Sequence, residues 1–196
     1  MPILSPNILF SKTLTTKIDT GVVFIYTDEK LSKLLTNIDK TYDGMITYHL
    51  ENHKTFKADT GQTLSLSLPP KSDTLRIIIV GLGTKDKLTS DGLETVGGKM
   101  VAALRAHGAT KASILNADDL DSASLSSILL GVQLGSYRFD EFKTVRKDKE
   151  TPDLKTLTII TSEDKQLAKE SKVAILCLAQ LNREGDNEKP KLSHLR

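Results

Sequence analysis

The sequence predicts an α/β sandwich with a mixed, largely parallel sheet, and three observations predict it. Ile77-Ile78-Ile79-Val80 is a run of four β-branched residues. It reads as a strand buried on both faces, because a half-exposed strand would alternate polar with apolar. Gly81 and Gly83 follow as a turn, and from Asp91 onward Leu93, Val96, Met100 and Leu104 recur at helical spacing. Elsewhere, apolar runs of strand length alternate with helical patterns, the order expected of an α/β unit.

In chain order, Ile3 to Phe10 is a first strand, and Pro6 within it favours a sheet edge. Val22 to Tyr26 is a continuous apolar run suited to an inner strand. Leu31, Leu34 and Leu35 after Asp28 predict a short helix, and Gly44 to Phe56 a second one. Leu64-Ser65-Leu66-Ser67-Leu68 alternates strictly, so it is a strand with one wet face, ended by Pro69-Pro70. Asp91 and Glu94 have capping-box spacing, and Gly108 sits where the long helix should stop. Ala112 to Leu115 is a short strand, and Asn116 to Asp121 an acidic loop. Leu125, Ile128, Leu129 and Val132 define a helix running to about Tyr137. A charged connector from Asp140 to Asp153 leads to the strand Leu157 to Ile160. Leu167, Ala174, Leu178 and Leu181 share one face of a last helix. Residues 1–181 are read as one domain and 182–196 as a polar, disordered tail.

Composition narrows the classes of function. With 27 basic and 25 acidic residues, the net charge of +2 argues against a strongly basic nucleic-acid module. The single cysteine, Cys177, lies in an apolar run and reads as an inert core thiol; cysteine poverty fits a reducing cytosol. No apolar run approaches membrane-spanning length and no secretory leader is visible, so a soluble, cytoplasmic chain without a membrane partner is expected.

The chemical motifs are each incomplete. His49 and His53 stand one helical turn apart, a spacing able to hold a metal, but Leu50 occupies the place where a metalloprotease helix needs glutamate; a solvated pair is the better reading. Asp118, Asp119 and Asp121 lack the glycine and distal glutamate of a calcium loop, which leaves helix capping and solvation. Gly81 and Gly83 give half of a dinucleotide fingerprint, but Asp86 fills the third glycine position and would repel a phosphate. Gly131-Val132-Gln133-Leu134-Gly135 has glutamine where a hydrolase elbow needs serine, so its glycines are read as permitting close helix packing. His107 is placed at a helix end and His194 in the tail. No residue is assigned a catalytic, cofactor-binding or metal-binding role.

Three segments together carry a resemblance: Arg76-Ile77-Ile78-Ile79-Val80-Gly81-Leu82-Gly83, the helix with Gly97-Gly98, and Leu130 to Thr144, which includes Tyr137-Arg138-Phe139-Asp140-Glu141-Phe142-Lys143-Thr144. They resemble the amino-terminal domain of leucyl aminopeptidases, the cytosol aminopeptidases of the M17 metallopeptidase family, over roughly Ile8 to Ala179. The resemblance implies a macrodomain-like three-layer sandwich in a cytosolic homohexamer. It also implies that catalysis belongs to a second domain, where two divalent metals (zinc, manganese or magnesium) activate a water against the peptide bond. That domain's signature, Asn-Thr-Asp-Ala-Glu-Gly-Arg, is absent here, so no ligand or catalytic residue is carried over. After Leu178 the chain departs from the family pattern, which is read as a frame interrupted near that point with an out-of-frame tail. A deliberately expressed domain is the weaker alternative, since it would end in native sequence.

The expectation is thus a non-catalytic domain that serves subunit assembly and active-site access, its peptide substrates met through the missing domain. Two alternatives stand beside it. One is a macrodomain-type binder of ADP-ribose through Gly81-Leu82-Gly83. The other is a DNA-binding module using Lys143, Arg146, Lys147 and Lys149, although Asp140, Glu141, Asp148 and Glu150 interleave with them.

Overall fold

A computed structural model describes residues 6–13, 18–41, 43–68, 74–137 and 153–161 of the chain. Its centre is the predicted run. Ile77 to Val80 lie in β4 (Thr74–Gly81), and all four are within 1% of full burial. β4 lies beside β2 (Ile18–Ile25), the other continuous apolar run, in parallel register. Around this pair stand β1 (Asn7–Ser11), β3 (Thr63–Ser67), β5 (Lys111–Ile114) and β6 (Thr156–Ile160). The sheet order is β1-β6-β5-β2-β4-β3, parallel throughout except for the β3–β4 pair. Pro6 does precede an edge strand, and among the described residues β1 has β6 as its sole neighbour.

Strand alternation divides the core into two. Val22, Phe24, Ile78 and Val80 point to one face, where they meet α3 (Ser90–Ala106) and α4 (Ser122–Ser136) through Val96, Met100, Ile128 and Val132. Val23, Ile25, Ile77 and Ile79 point to the other, under Leu35 of α1 (Lys33–Thr41) and Ile46 of α2 (Met45–Asn52). Helices on both faces of one mixed sheet make the predicted three-layer α/β sandwich.

The local signals resolve unevenly. α3 is capped by Thr89, whose hydroxyl accepts from the Gly92 N–H at 3.1 Å, and not by the Asp91–Glu94 box. Thr89 holds the extended backbone that a cap needs, while Asp91 sits inside the first turn, where its carboxylate faces the positive helix end. The stop is as predicted. Gly108 takes a φ of +69°, the Ala109 N–H reaches Leu104 O at 3.0 Å, and the Gly108 N–H reaches Arg105 O at 3.0 Å. α1 starts at Lys33, so Leu31 precedes it, and the Ser32 hydroxyl accepts from the Leu35 N–H. The second helix is shorter than predicted, ending at Asn52.

α2 begins on Gly44, which has no side chain to cap it. Asp39 of α1 does so instead. Its Oδ1 accepts from the Ile46 N–H at 2.7 Å and the Thr47 N–H at 3.2 Å, and its Oδ2 accepts from the Thr47 hydroxyl. A buried carboxylate is thereby placed against the positive end of a neighbouring helix. Between α3 and α4, backbone meets backbone: a Cβ on Gly97 would stand 2.1 Å from Ile128 O. This is the close packing expected of Gly131 and Gly135. The last predicted helix, Cys177, His194, the basic cluster and the 182–196 tail all lie outside the described residues.

Candidate functional site

In open α/β sheets, ligands gather at the carboxyl ends of the strands, where successive crossovers leave for opposite faces. Here that point is the end of β2. The chain leaves β2 for α1 and α2 on one face, while α3 joins β4 to β5 across the other. A crevice of about 860 Å³ opens there, between the loop after β2 and the turn after β5. Phe24, Leu35, Phe56, Leu82 and Leu120 form its apolar wall; Tyr26, Glu29, Lys30, His53, Asn116 and Asp119 supply its polar groups.

Asn116 is its most constrained member. Its Oδ1 accepts from the Phe24 N–H at 2.9 Å, and its Nδ2 donates to Phe24 O at 2.8 Å and to Asp119 Oδ2 at 2.9 Å. The side-chain amide stands in for a peptide group and extends the β2–β5 ladder beyond the end of β5. At 2% exposure, it is spent on that task. Asp39 also lines the crevice, and α2 occupies its oxygens. His53 Nδ1 accepts from the Phe56 N–H at 3.0 Å, closing the turn after α2, and His49 rests edge-on to Tyr48. Of the pair, His53 is thus engaged through Nδ1 in the turn that ends α2. Among the described residues no group of three His, Cys, Asp or Glu side chains is placed to hold a metal, so this part of the chain does not fit one.

The remaining motifs are also accounted for locally. Asp121 caps α4, accepting from the Ser124 N–H at 2.7 Å; Asp118 accepts from the Thr161 hydroxyl, tying β6 to the acidic turn. Gln133 is buried in the last turn of α4, away from any strand-to-helix turn. His107 is the C-cap of α3, as placed from sequence. The glycine loop corrects one expectation. Anion binding needs free amides, but the Gly81 N–H donates to Gln62 O, Leu82 N–H to Ile25 O, and Gly83 N–H to Ala58 O, at 2.8 to 2.9 Å. Gly81-Leu82-Gly83 therefore has no amide left for a phosphate, and the reading of it as an ADP-ribose loop falls. Asp86 is exposed in the single turn Lys85–Lys87, and α3 begins only at Ser90.

At the mouth, Lys85 Nζ pairs with Glu29 at 3.0 Å and lies 5.4 Å from the Tyr26 ring centroid. The Glu29 hydrogen bond holds the Lys85 ammonium above its usual range. Burial pushes the Tyr26 phenol above its ordinary value; Lys85 offsets part of the rise, and Glu29, Asp121 and Asp119 add to it. The folded chain therefore holds the phenolic proton more tightly than the unfolded chain. The associated stability is complete below the ordinary phenol value of about 10 and is lost as pH climbs through the raised one. In urea melts above pH 10, Tyr26→Phe is expected to lose less stability with rising pH than the parent chain. Parallel pH profiles for the two would refute the assignment.

Asn116 and Asp39 carried no signal in the sequence, because each is defined by a partner on another element. Among the described residues, no helix is long and apolar enough to cross a membrane.

Comparison with known proteins is consistent with this fold. The family model "Cytosol aminopeptidase family, N-terminal domain" matches residues 22–146. The probable cytosol aminopeptidase of Rickettsia rickettsii (strain Sheila Smith) is 31% identical over 156 residues, covering 76% of this chain and 31% of the relative. That of Rickettsia massiliae (strain Mtu5) is 31% identical over 155 residues, with the same coverage. The chain thus spans about a third of the length of these curated relatives. A tomato leucine aminopeptidase mutant superposes with a TM-score of 0.71 at 20% identity, covering 91% of this chain and 37% of that one. The bottromycin maturation enzyme BotP gives 0.54 at 17%, covering 81% and 30%. At such identities these two show the fold alone.

Proposed function

Because the chain belongs to the cytosol aminopeptidase family, as its N-terminal domain, we propose that it is the non-catalytic part of a two-metal leucyl aminopeptidase, serving subunit assembly and access to the active site. The full-length enzyme releases amino-terminal residues from peptides, as a cytoplasmic homohexamer. Its two divalent ions, zinc, manganese or magnesium, are held in the second domain and supply a metal-activated water and a polarised carbonyl. Residues 1–181 form the domain, and 182–196 are a tail outside it.

The observation that carries this reading is the family match over residues 22–146, which runs from the second half of β2 through α4 and takes in every residue lining the crevice. The state of the crevice supports the non-catalytic part of the proposal: Asn116, Asp39 and His53 are engaged in holding backbone. A catalytic group must instead be free to meet a substrate.

The test is an assay of the purified 196-residue chain on leucine p-nitroanilide with added manganese. No release above a mock-purified blank is expected. Release that follows the protein through purification, needs manganese and stops with chelator would overturn the non-catalytic assignment.

A further inference from the structure

Among the described residues the sheet ends on two strands with one neighbour each, β1 and β3. An edge strand presents a row of free N–H and C=O groups to any other chain, and edges are commonly guarded by charge, proline or a bulge. β1 is flanked by such guards, with Pro6 just before it and Lys12 just after. β3, Thr63-Leu64-Ser65-Leu66-Ser67, has neither charge nor proline within it, as is true of β1, and its nearest proline, Pro69, comes two positions after its end.

The ladder decides which of its backbone groups face out. The Gly81 N–H donates to Gln62 O at 2.8 Å, and Gly81 O accepts from the Gly61 N–H at 2.9 Å, so Gly81 turns both groups toward β3. By alternation Ile79 and Ile77 do the same, and they stand opposite Leu64 and Leu66. Leu64 and Leu66 therefore bond inward, and the main-chain groups of Thr63, Ser65 and Ser67 lie on the open side. Among the described residues nothing outside the ladder bonds to them.

We propose that β3 pairs antiparallel with the β3 strand of a second copy of this chain, about a two-fold axis through Ser65, so that one sheet continues across the contact. In this register Ser65 faces its own counterpart and Thr63 faces Ser67, and each pair exchanges main-chain hydrogen bonds. Leu64 meets Leu66 on the core side. An isologous contact requires a surface that complements itself, and here like meets like on both faces with no charge opposing its copy. A one-residue slip would set leucine against serine and turn the wrong groups inward; a two-residue slip would lose a pair. So short an edge gives a weak, reversible dimer. The contact names a surface for the assembly role proposed above but does not depend on it.

The test is hydrogen exchange by mass spectrometry on the 196-residue chain, over a roughly hundredfold range of concentration. Protection of the peptide containing residues 63–67 is expected to rise with concentration, together with the sedimentation coefficient. Ser65→Pro removes an N–H that bonds nothing within one copy, and is expected to abolish both effects while leaving the circular-dichroism melt in place. Should that variant fail to fold, exchange in the parent chain decides alone. A chain that stays monomeric throughout overturns the proposal. So does one that associates while the 63–67 amides exchange at an unchanged rate, an outcome that would leave assembly standing and remove this contact.

Discussion

Gly131→Ala is expected to lower stability by about 3 kcal/mol, read as a drop in the urea midpoint followed by far-ultraviolet circular dichroism. A Cβ at this position would stand 2.0 Å from Glu94 O and 2.7 Å from the Glu94 carbonyl carbon and Cα. Every atom in the way is main chain, so no rotamer change relieves the clash; α3 and α4 must move apart. That separation would loosen Val96, Met100, Ile128 and Val132, the contacts through which both helices grip the sheet. Gly98→Ala is the internal control. Its nearest foreign atom would be Gly131 O at 3.9 Å, an ordinary contact, and alanine's helix preference should add up to ~1 kcal/mol. Equal stability of the Gly131→Ala chain and its parent would show that the helices do not approach as described.

Asn116→Ala is expected to cost about 2 kcal/mol, since it leaves the N–H and C=O of Phe24 without partners at the floor of the crevice. Asn116→Asp should be worse at neutral pH, at about 3 kcal/mol: a carboxylate can accept from the Phe24 N–H but would face Phe24 O and Asp119 as a second acceptor. Acid should reverse part of the loss in the aspartate variant alone, because a protonated carboxyl can again donate to Phe24 O. Urea midpoints at pH 7 and pH 4 for the parent and both variants check this. An aspartate variant as stable as the parent at pH 7 would remove Asn116 as the mimic of a peptide group.

These two sites show what was legible in the sequence and what was not. Four β-branched residues from Ile77 to Val80 can be satisfied only by burial on both faces, so the central strand was readable from local pattern. Gly131 and Gly135 were readable too, because glycine within a helix is costly unless something approaches it closely. Legibility stopped where a residue's role is set by a partner far along the chain. Asn116 is defined by Phe24 across 92 positions, and nothing in Asn-Ala-Asp-Asp announces it. Asp39 carries no local signal either, yet it caps the next helix, where Gly44 has no side chain to do so. The α3 cap was misplaced because Thr89 and Asp91 are both good cap residues, and two candidates so close are separated only by backbone conformation. The glycine loop promised a ligand for the same reason: its amides look free in sequence and are claimed only once Ala58, Gln62 and Ile25 arrive.

The placement of β1 has a consequence for how the chain is made. Among the described residues its one neighbour in the sheet is β6, so β1 waits until every other described strand has been made. At ordinary elongation speeds that delay is on the order of ten seconds, during which Ile8 and Phe10 have no strand to lie against. The four strands from β2 to β5 can meanwhile settle in a connected order, each beside a strand already made or soon to follow. β1 would then dock as a late addition to a finished edge, and until that moment the nascent chain offers an apolar segment to chaperones.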